Sequence, residues 1–321
     1  MAFIQVEHLR KSFIIRKKRE ERTLFRKKER IEALQDLSFQ IDRGEIVGYI
    51  GPNGAGKSTT VKILSGILTP DSGTVQVDNR IPWESRREHV RHIGVVFGQR
   101  MQLWWDVPIE DSYSLLKDIY LIPEDAYRKR LNELTEALQL DDLLRTPLRL
   151  LSLGQRMRAE LCGSLLHQPS LLFLDEPTIG LDSVGKLALR DFLQWENREH
   201  GTTILLTTHD VEDIAALCSR VMVLGHGKKL FDGNFSTLLN RYDTTRTILV
   251  RFEEDVKLSC LTEKLSVSNE GKLLKIMYST QDMPTAELLA FLQKAGTIRE
   301  ITIKPQNIDY MIANMYREMA L

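Results

Sequence analysis

Residues 51–59 read Gly51-Pro52-Asn53-Gly54-Ala55-Gly56-Lys57-Ser58-Thr59. They fit G-x-x-x-x-G-K-[ST], the phosphate-binding loop, and they stand in the context such a loop requires. Ile46, Val47, Tyr49 and Ile50 form an apolar strand running into the loop, and Val61-Lys62-Ile63-Leu64 continues out of it as a helix. Gly51, Gly54 and Gly56 let the backbone fold tightly enough to aim successive N–H groups at one anion. Pro52, Asn53, Ala55 and Thr59 belong to the same cradle, and the helix adds its positive N-terminal end. In that arrangement Lys57 reaches the β- and γ-phosphates of a nucleotide, and the Ser58 hydroxyl holds Mg²⁺. An ordinary glycine turn with a surface lysine is the competing reading. The order strand, loop, helix disfavours it.

Further along, Leu171 to Leu174 is a short apolar strand that delivers Asp175-Glu176-Pro177 to its carboxyl end. Thr202 to Leu206 is another, ending in Thr207-Thr208-His209-Asp210, and Ile93 to Phe97 is a third, ending at Gly98-Gln99. Strands alternating with helices predict a parallel sheet whose ligands sit at the strand carboxyl ends. On that side the Asp175 carboxylate reaches the Mg²⁺ that Ser58 also holds. Neighbouring side chains diverge near a strand end, so Glu176 is left to orient and polarise the attacking water. Such a base is worth roughly 10²–10⁴ in rate. An acidic pair capping the Pro177 turn is the plainer alternative, and the apolar run before it argues against that. His209, at its own strand end, is read as a γ-phosphate contact. Gln99 is neutral and flexible enough to touch Mg²⁺ or the water.

Ser152-Leu153-Gly154-Gln155 opens a helix running to about His167. A serine and a glycine at a helix N-terminus form a second anion site, yet the first already surrounds the triphosphate. One resolution is that the second faces a neighbouring molecule's nucleotide. Before it the chain turns helical, with one helix over Asp111–Tyr120 and another opening at Pro123. There Tyr127, Leu131, Leu134 and Leu138 form one apolar stripe. Trp104, Trp105 and Pro108 stand at the entrance of this insert.

With 321 residues, 42% hydrophobic, 27% charged and a formal net charge of +0, the chain reads as globular with about two domains. The charge balance argues against a general nucleic-acid-binding surface, so no nucleic acid is expected as a partner. No run approaches the roughly 18 apolar residues of a membrane span, and Met1 to Arg10 lacks a signal-peptide core. Cys162, Cys218 and Cys260 read as buried thiols. Phe3, Ile4 and Val6 begin a strand ending near Phe13, and Leu37 to Ile41 is a second. Arg16 to Arg30 between them reads as a solvated hairpin tip, with contact to anionic headgroups or an acidic partner loop as the functional alternative. Val221–Leu224 and a hairpin at Lys229–Phe231 close a first domain over residues 1–238. Residues 239–321 read as a small α+β domain. Its strands are expected at Thr247–Phe252, Leu273–Met277 and Ile298–Ile303, and its helices near Pro284–Ala295 and Ile308–Met319.

The phosphate loop, Gln99, Leu151-Ser152-Leu153-Gly154-Gln155, the Leu171–Pro177 run, Gly180-Leu181-Asp182 and Thr207–Asp210 follow one another as in ABC transporter ATP-binding subunits. The chain resembles these over about residues 1–235. Phe97-Gly98-Gln99-Arg100, Leu103-Trp104-Trp105-Asp106 and the C-terminal extension look most like ABC-2-type export systems. The resemblance implies an α/β P-loop ABC ATPase domain with a mostly parallel sheet, an antiparallel β subdomain and a helical subdomain at about 100–167. It implies an ATPase using ATP and Mg²⁺ that closes as a head-to-tail dimer with two nucleotides at the interface. In that dimer Ser152 and Gly154, with Gln155 beside them, contact the γ-phosphate bound by Lys57 of the partner subunit. Phe13 falls where the family stacks an aromatic on adenine, and Asp182 lies across the interface. One departure stands out, since Leu153 replaces the usual first glycine of a doublet.

The implied partners are a second copy, or a paralogous ATPase subunit, and membrane-spanning permease subunits at the cytoplasmic face of the cell membrane. The segment after Gln99 would receive a permease coupling helix, which gives Trp104 and Trp105 a role; core or interdomain filling is the alternative for both. The alternative function is a soluble ABC-type ATPase acting on a macromolecular complex. One cassette and no long coiled-coil insert argue against it.

Overall fold

The computed structural model describes residues 2–16, 28–98, 101–208, 210–242, 245–254, 265–270, 273–280 and 282–305. Gln99, Arg100 and His209, residues 17–27 of the basic run, Cys260 and the helix expected over Ile308–Met319 lie outside those residues. The chain divides into two units, Met1–Gly233 and Asn234–Leu321. No helix among the described residues is long and apolar enough to cross a membrane.

In the first unit β1 (Ile4–Arg16) and β2 (Lys28–Ile41) pair antiparallel, and β3 (Ile46–Ile50) leads through the phosphate loop into α1 (Lys57–Leu64). β4 (Ser72–Val77) returns to pair with β1, completing a three-stranded antiparallel sheet ordered β2-β1-β4. A single turn of helix, α2 (Arg86–His89), precedes β5 (Ile93–Phe97). Three helices follow as an insert, α3 (Ile109–Tyr120), α4 (Glu124–Ala137) and α5 (Leu153–Leu165). The chain then runs β6 (Leu171–Asp175), α6 (Ser183–His200), β7 (Thr203–Thr207), α7 (Val211–Leu217), β8 (Arg220–Gly225) and β9 (Lys228–Asn234).

These strands make a six-stranded sheet ordered β5-β6-β7-β3-β8-β9, and the pairs from β5 through to β8 are parallel. β3, β6 and β7 are short continuous apolar runs because helices or the antiparallel sheet cover both faces, and Val47, Leu171–Leu174 and Ile204–Leu206 are all buried. The register sets Phe97, Asp175, Thr207 and Tyr49 in one row across four strands. The phosphate loop, Asp175-Glu176 and Thr207-Thr208 therefore leave the sheet on the same side. This is the carboxyl side, where the alternating strand and helix pattern puts ligands.

The second unit opens with α8 (Phe235–Tyr242) and holds an antiparallel sheet ordered β11-β12-β10-β13. Its strands are β10 (Thr245–Phe252), β11 (Ser266–Glu270), β12 (Leu273–Ser279) and β13 (Ile298–Pro305). α9 (Thr285–Ala295) lies on one face, where Leu288 and Leu292 meet Ile248, Val250, Phe252, Leu274, Ile276 and Tyr278 in a separate core.

Two expectations are corrected. The second strand was expected from Leu37, but β2 begins at Lys28 and β1 continues to Arg16. Their outer ends form a two-stranded ribbon in which Ile14, Ile15 and Ile31 remain exposed. Backbone pairing sustains that ribbon without a buried face, so no alternation of apolar residues announces it. Elements α2, α7, α8 and β11 were not read at all. The helices are too short to show a period, and β11 is a polar edge strand.

Candidate active site

The phosphate loop is packed from behind so closely that two of its glycines have no room for a side chain. A Cβ on Gly56, which sits at φ +106, would lie 2.6 Å from Leu34 Cδ2 and 2.7 Å from the Ala33 carbonyl. One on Gly51 would lie 2.5 Å from the Leu224 carbonyl. Strands β2 and β8 thus fix the back of the loop, while Asn53, Gly54 and Ser58 are exposed at its mouth. Pro52 and Thr59 are half-buried and Ala55 is buried. Lys57 is buried to 9% exposure, and its Nζ donates to the carbonyls of Gly51 at 2.5 Å and Pro52 at 3.2 Å. The ammonium is therefore held over the loop. Beneath it Tyr49 donates its hydroxyl to Thr60 Oγ1 at 3.0 Å, and burial pushes the phenol's pKa far up, so it stays a neutral donor.

Across the sheet, Ser58 Oγ donates to Asp175 Oδ2 at 3.2 Å, and Thr207 Oγ1 donates to Asp175 Oδ1 at 2.5 Å. A hydroxyl and a carboxylate this close are hard-oxygen ligands of the kind Mg²⁺ takes, with phosphate and water completing its shell. Ser58 and Asp175 thus fit the ion. Among the described residues no group of three or more His, Cys, Asp or Glu side chains could hold a metal.

Glu176 follows with φ 55, a left-handed conformation uncommon for a residue with a Cβ. Its N–H is held by the Thr207 carbonyl at 3.0 Å and Thr207 Oγ1 at 3.2 Å. Gly98 closes the other side. Its N–H donates to the Asp175 carbonyl at 2.8 Å, and a Cβ there would meet the Glu176 carbonyl at 2.6 Å. Thr207 is the residue that sequence reasoning missed. Its one signal is a hydroxyl at the end of a buried strand, in the same row as Asp175.

The second anion motif is built as a helix cap. Ser152 Oγ accepts from the Gln155 N–H at 3.3 Å, and Gln155 Oε1 accepts from the Ser152 N–H at 2.8 Å. This capping box satisfies two orphan donors of α5, and Ser152 and Leu153 are exposed. The tip lies beside the loop before α6: a Cβ on Gly154 would be 3.8 Å from Leu181 Cδ2, and one on Gly180 2.6 Å from Leu153 Cδ2. Asp182 caps α6 by accepting from the Gly185 N–H at 2.8 Å, and it too is exposed. Phe13 is exposed on β1, with Lys11 Nζ 5.7 Å from its ring. Trp104 and Trp105 are 42% and 45% exposed, which removes them from the core, and the Arg156 guanidinium lies 4.6 Å from the Trp105 ring.

The family described as ABC transporter matches residues 34–179. The uncharacterized ABC transporter ATP-binding protein YhcH of Bacillus subtilis is 26% identical over 89% of this chain and 91% of its own length. The Nod factor export ATP-binding protein I of Ralstonia nicotianae is 30% identical over 84% of this chain and 87% of its own. Among solved structures, a dimeric post-hydrolysis state of the ATP-binding cassette MJ0796, bound to ADP and Pi, matches with a TM-score of 0.61 at 26% identity. That likeness covers 72% of this chain and 98% of the cassette.

Proposed function

Because the chain belongs to the ABC transporter family, as one of its ATP-binding subunits, we propose that it powers an ABC-2-type exporter by closing on ATP with a second copy of itself. The chain is an ATPase. Likeness to a Nod factor export protein supports the export direction, and likeness to a dimeric cassette bound to ADP and Pi supports the dimer. A membrane-spanning permease is the partner at the cytoplasmic face of the membrane, and exposed Trp104 and Trp105 suit contact with its coupling helix.

The proposed roles are these, with Gln99 and His209 assigned from the sequence alone. The backbone N–H groups of Gly51–Thr59, Pro52 excepted, and the Lys57 ammonium bind and orient the phosphates. Ser58 and Asp175, with Gln99 as a further ligand, would hold Mg²⁺, which neutralises phosphate charge when bound. Glu176 takes a proton from water as the water oxygen attacks the γ-phosphorus. The bond to the β–γ bridging oxygen breaks, and ADP leaves with that electron pair while Lys57 offsets its charge. His209 contacts the γ-phosphate and Phe13 stacks on adenine. Ser152, Gly154 and Gln155 of the second copy close over the same phosphate, and Asp182 crosses between the copies.

One observation carries this reading: Ser58 and Asp175 oxygens 3.2 Å apart beside the Lys57 loop, with Glu176 the next residue of the chain. Glu176→Gln keeps the shape and removes the base. The variant is expected to bind ATP as the wild type does, to hydrolyse it at least about 100-fold more slowly, and to accumulate as a dimer in Mg·ATP on size-exclusion chromatography. Normal turnover in this variant would remove Glu176 as the base. A strictly monomeric variant at saturating ATP would remove closure on a second copy.

A further inference from the structure

Asp213, on α7, is wholly buried at 0% exposure. A buried carboxylate is tolerated only when its oxygens are paired, and here both are. Arg190 donates to Oδ1 through Nε at 2.7 Å and Nη2 at 2.6 Å. Oδ2 accepts from Thr178 Oγ1 at 2.6 Å and Thr208 Oγ1 at 3.4 Å. The partners come from three separate segments. Thr178 lies two residues beyond Glu176, Thr208 leaves the end of β7, and Arg190 sits on α6, which starts at the Asp182 cap.

The same segments are laced further. Asp210 donates its N–H to Thr208 Oγ1 at 3.0 Å and accepts from Lys186 Nζ of α6 at 2.5 Å. Arg190 Nη2 also lies 3.9 Å from Asp210 and 3.5 Å from Glu212.

Glu176 gives this cluster its meaning. A residue with a Cβ stays in the left-handed region only where its surroundings over-determine it, and Glu176 is there at φ 55. On one side its own N–H is tied to Thr207. On the other, its carbonyl accepts from the Ile179 N–H at 3.4 Å, and the Thr178 hydroxyl ties the turn to α7. We propose that Asp213 is a positioning residue for hydrolysis: through Thr178 and Thr208 it pins the Glu176 turn to the end of β7 and so holds the base on its line of attack. Arg190 neutralises the carboxylate that does this. Nothing in the proposal requires Asp213 to touch nucleotide. It rests on the reading of Glu176 as the base.

The test is steady-state ATP hydrolysis by the full chain carrying Thr178→Val, Thr178→Ser, Asp213→Asn or Glu176→Gln, with thermal unfolding alongside. Valine keeps the shape of threonine and leaves the Asp213–Arg190 pair intact but removes a donor from a buried carboxylate, so its unfolding midpoint is expected to fall, and kcat is read well below that midpoint. A sub-ångström loosening at the reacting group is expected to lower kcat about tenfold, with KM for ATP within about twofold. Serine restores the hydroxyl and is expected to return at least about half of the wild-type kcat. Asp213→Asn is expected to lower kcat in the same way as the valine. Wild-type kcat in Thr178→Val, or a loss that Thr178→Ser does not rescue, overturns the inference. A slow Glu176→Gln beside an unaffected Thr178→Val overturns it alone, whereas wild-type turnover in Glu176→Gln brings down the base and this inference together.

Discussion

Gly180 sits at φ +76, and a Cβ there would lie 2.6 Å from Leu153 Cδ2. Leu153 stands where the family resemblance calls for glycine, and it is 42% exposed. The leucine is therefore not a blank in the second anion motif, because it reaches onto the loop that ends at Asp182. This makes the pair separable by mutation. Gly180→Ala adds a backbone strain of about 1–2 kcal/mol for the left-handed conformation and a clash with the leucine tip. Leu153→Ala relieves the clash and leaves the strain. Gly180→Ala is expected to slow ATP turnover about fivefold, and the double variant to recover about half of that loss, as residues in contact are coupled. Kinetics and urea midpoints of the two single variants and the double variant check it. Strictly additive effects would mean that the contact carries nothing. Part of this scale was legible from sequence, since Ser58 and Asp175, placed by their motifs on one side of the sheet, have oxygens 3.2 Å apart. Thr207, Thr178 and Asp213 were not, because a threonine or aspartate gains its meaning only from the strand or helix packed beside it.

Helix α4 turns most of its apolar stripe inward: Tyr127 and Leu134 are buried, as is Leu138 just past its end, while Leu131 is half-buried. The same helix also buries Arg130 to 1% exposure, paired with Glu196 of α6, which is 1% exposed. Arg130 Nη2 donates to both Glu196 oxygens at 2.9 and 2.8 Å, while Nη1 reaches Glu133 at 2.9 Å and His200 Nε2 at 2.8 Å. This joins the helical insert to a helix that flanks the sheet. Breaking such a pair leaves a buried charge alone, which costs about 3–5 kcal/mol, whereas replacing both partners with apolar residues is often neutral. Arg130→Met is accordingly expected to lower stability by about 3–5 kcal/mol, and Arg130→Met with Glu196→Met to regain most of it. Urea unfolding of both variants is the measurement. Equal losses in the single and double variants would show that the charges are not what joins the helices. The apolar strands and the stripe on α4 were readable because hydrophobic period reports burial directly. Arg130 was not, since alone it reads as a solvated arginine and its acceptor lies 66 residues further along the chain.

Each unit has its own hydrophobic core, and the sequence distributes two useful side chains unevenly between them. All 7 histidines precede residue 234, as do all 4 tryptophans, at 83, 104, 105 and 195. Tryptophan fluorescence therefore follows the first unit alone, while far-UV circular dichroism follows both. Acid should also act selectively. Burial pushes the pKa of His89 down, and that of His167 down to about 4, although Nε2 of each ring has a backbone carbonyl partner. The folded unit accepts these rings as neutral, and the unfolded chain protonates them near the ordinary value of about 6.5. Their contribution is complete above about pH 6.5 and is lost as pH falls towards 4. Between pH 7 and 5, His167 alone should cost the first unit about 2 kcal/mol. His167→Phe keeps a ring stacked on Tyr120, now 3.9 Å away, but gives up the bond to the Ile93 carbonyl. Its stability at pH 7 is expected to be lower, and its slope between pH 7 and 5 flatter. Urea unfolding at both pH values should show a fluorescence transition that moves with acid in the wild type and less in the variant. The dichroism transition of the second unit, which holds no histidine, should move less than either. An equal acid shift in wild type and variant would remove His167 as the cause, and one shared transition in both signals would mean that the two cores unfold as one.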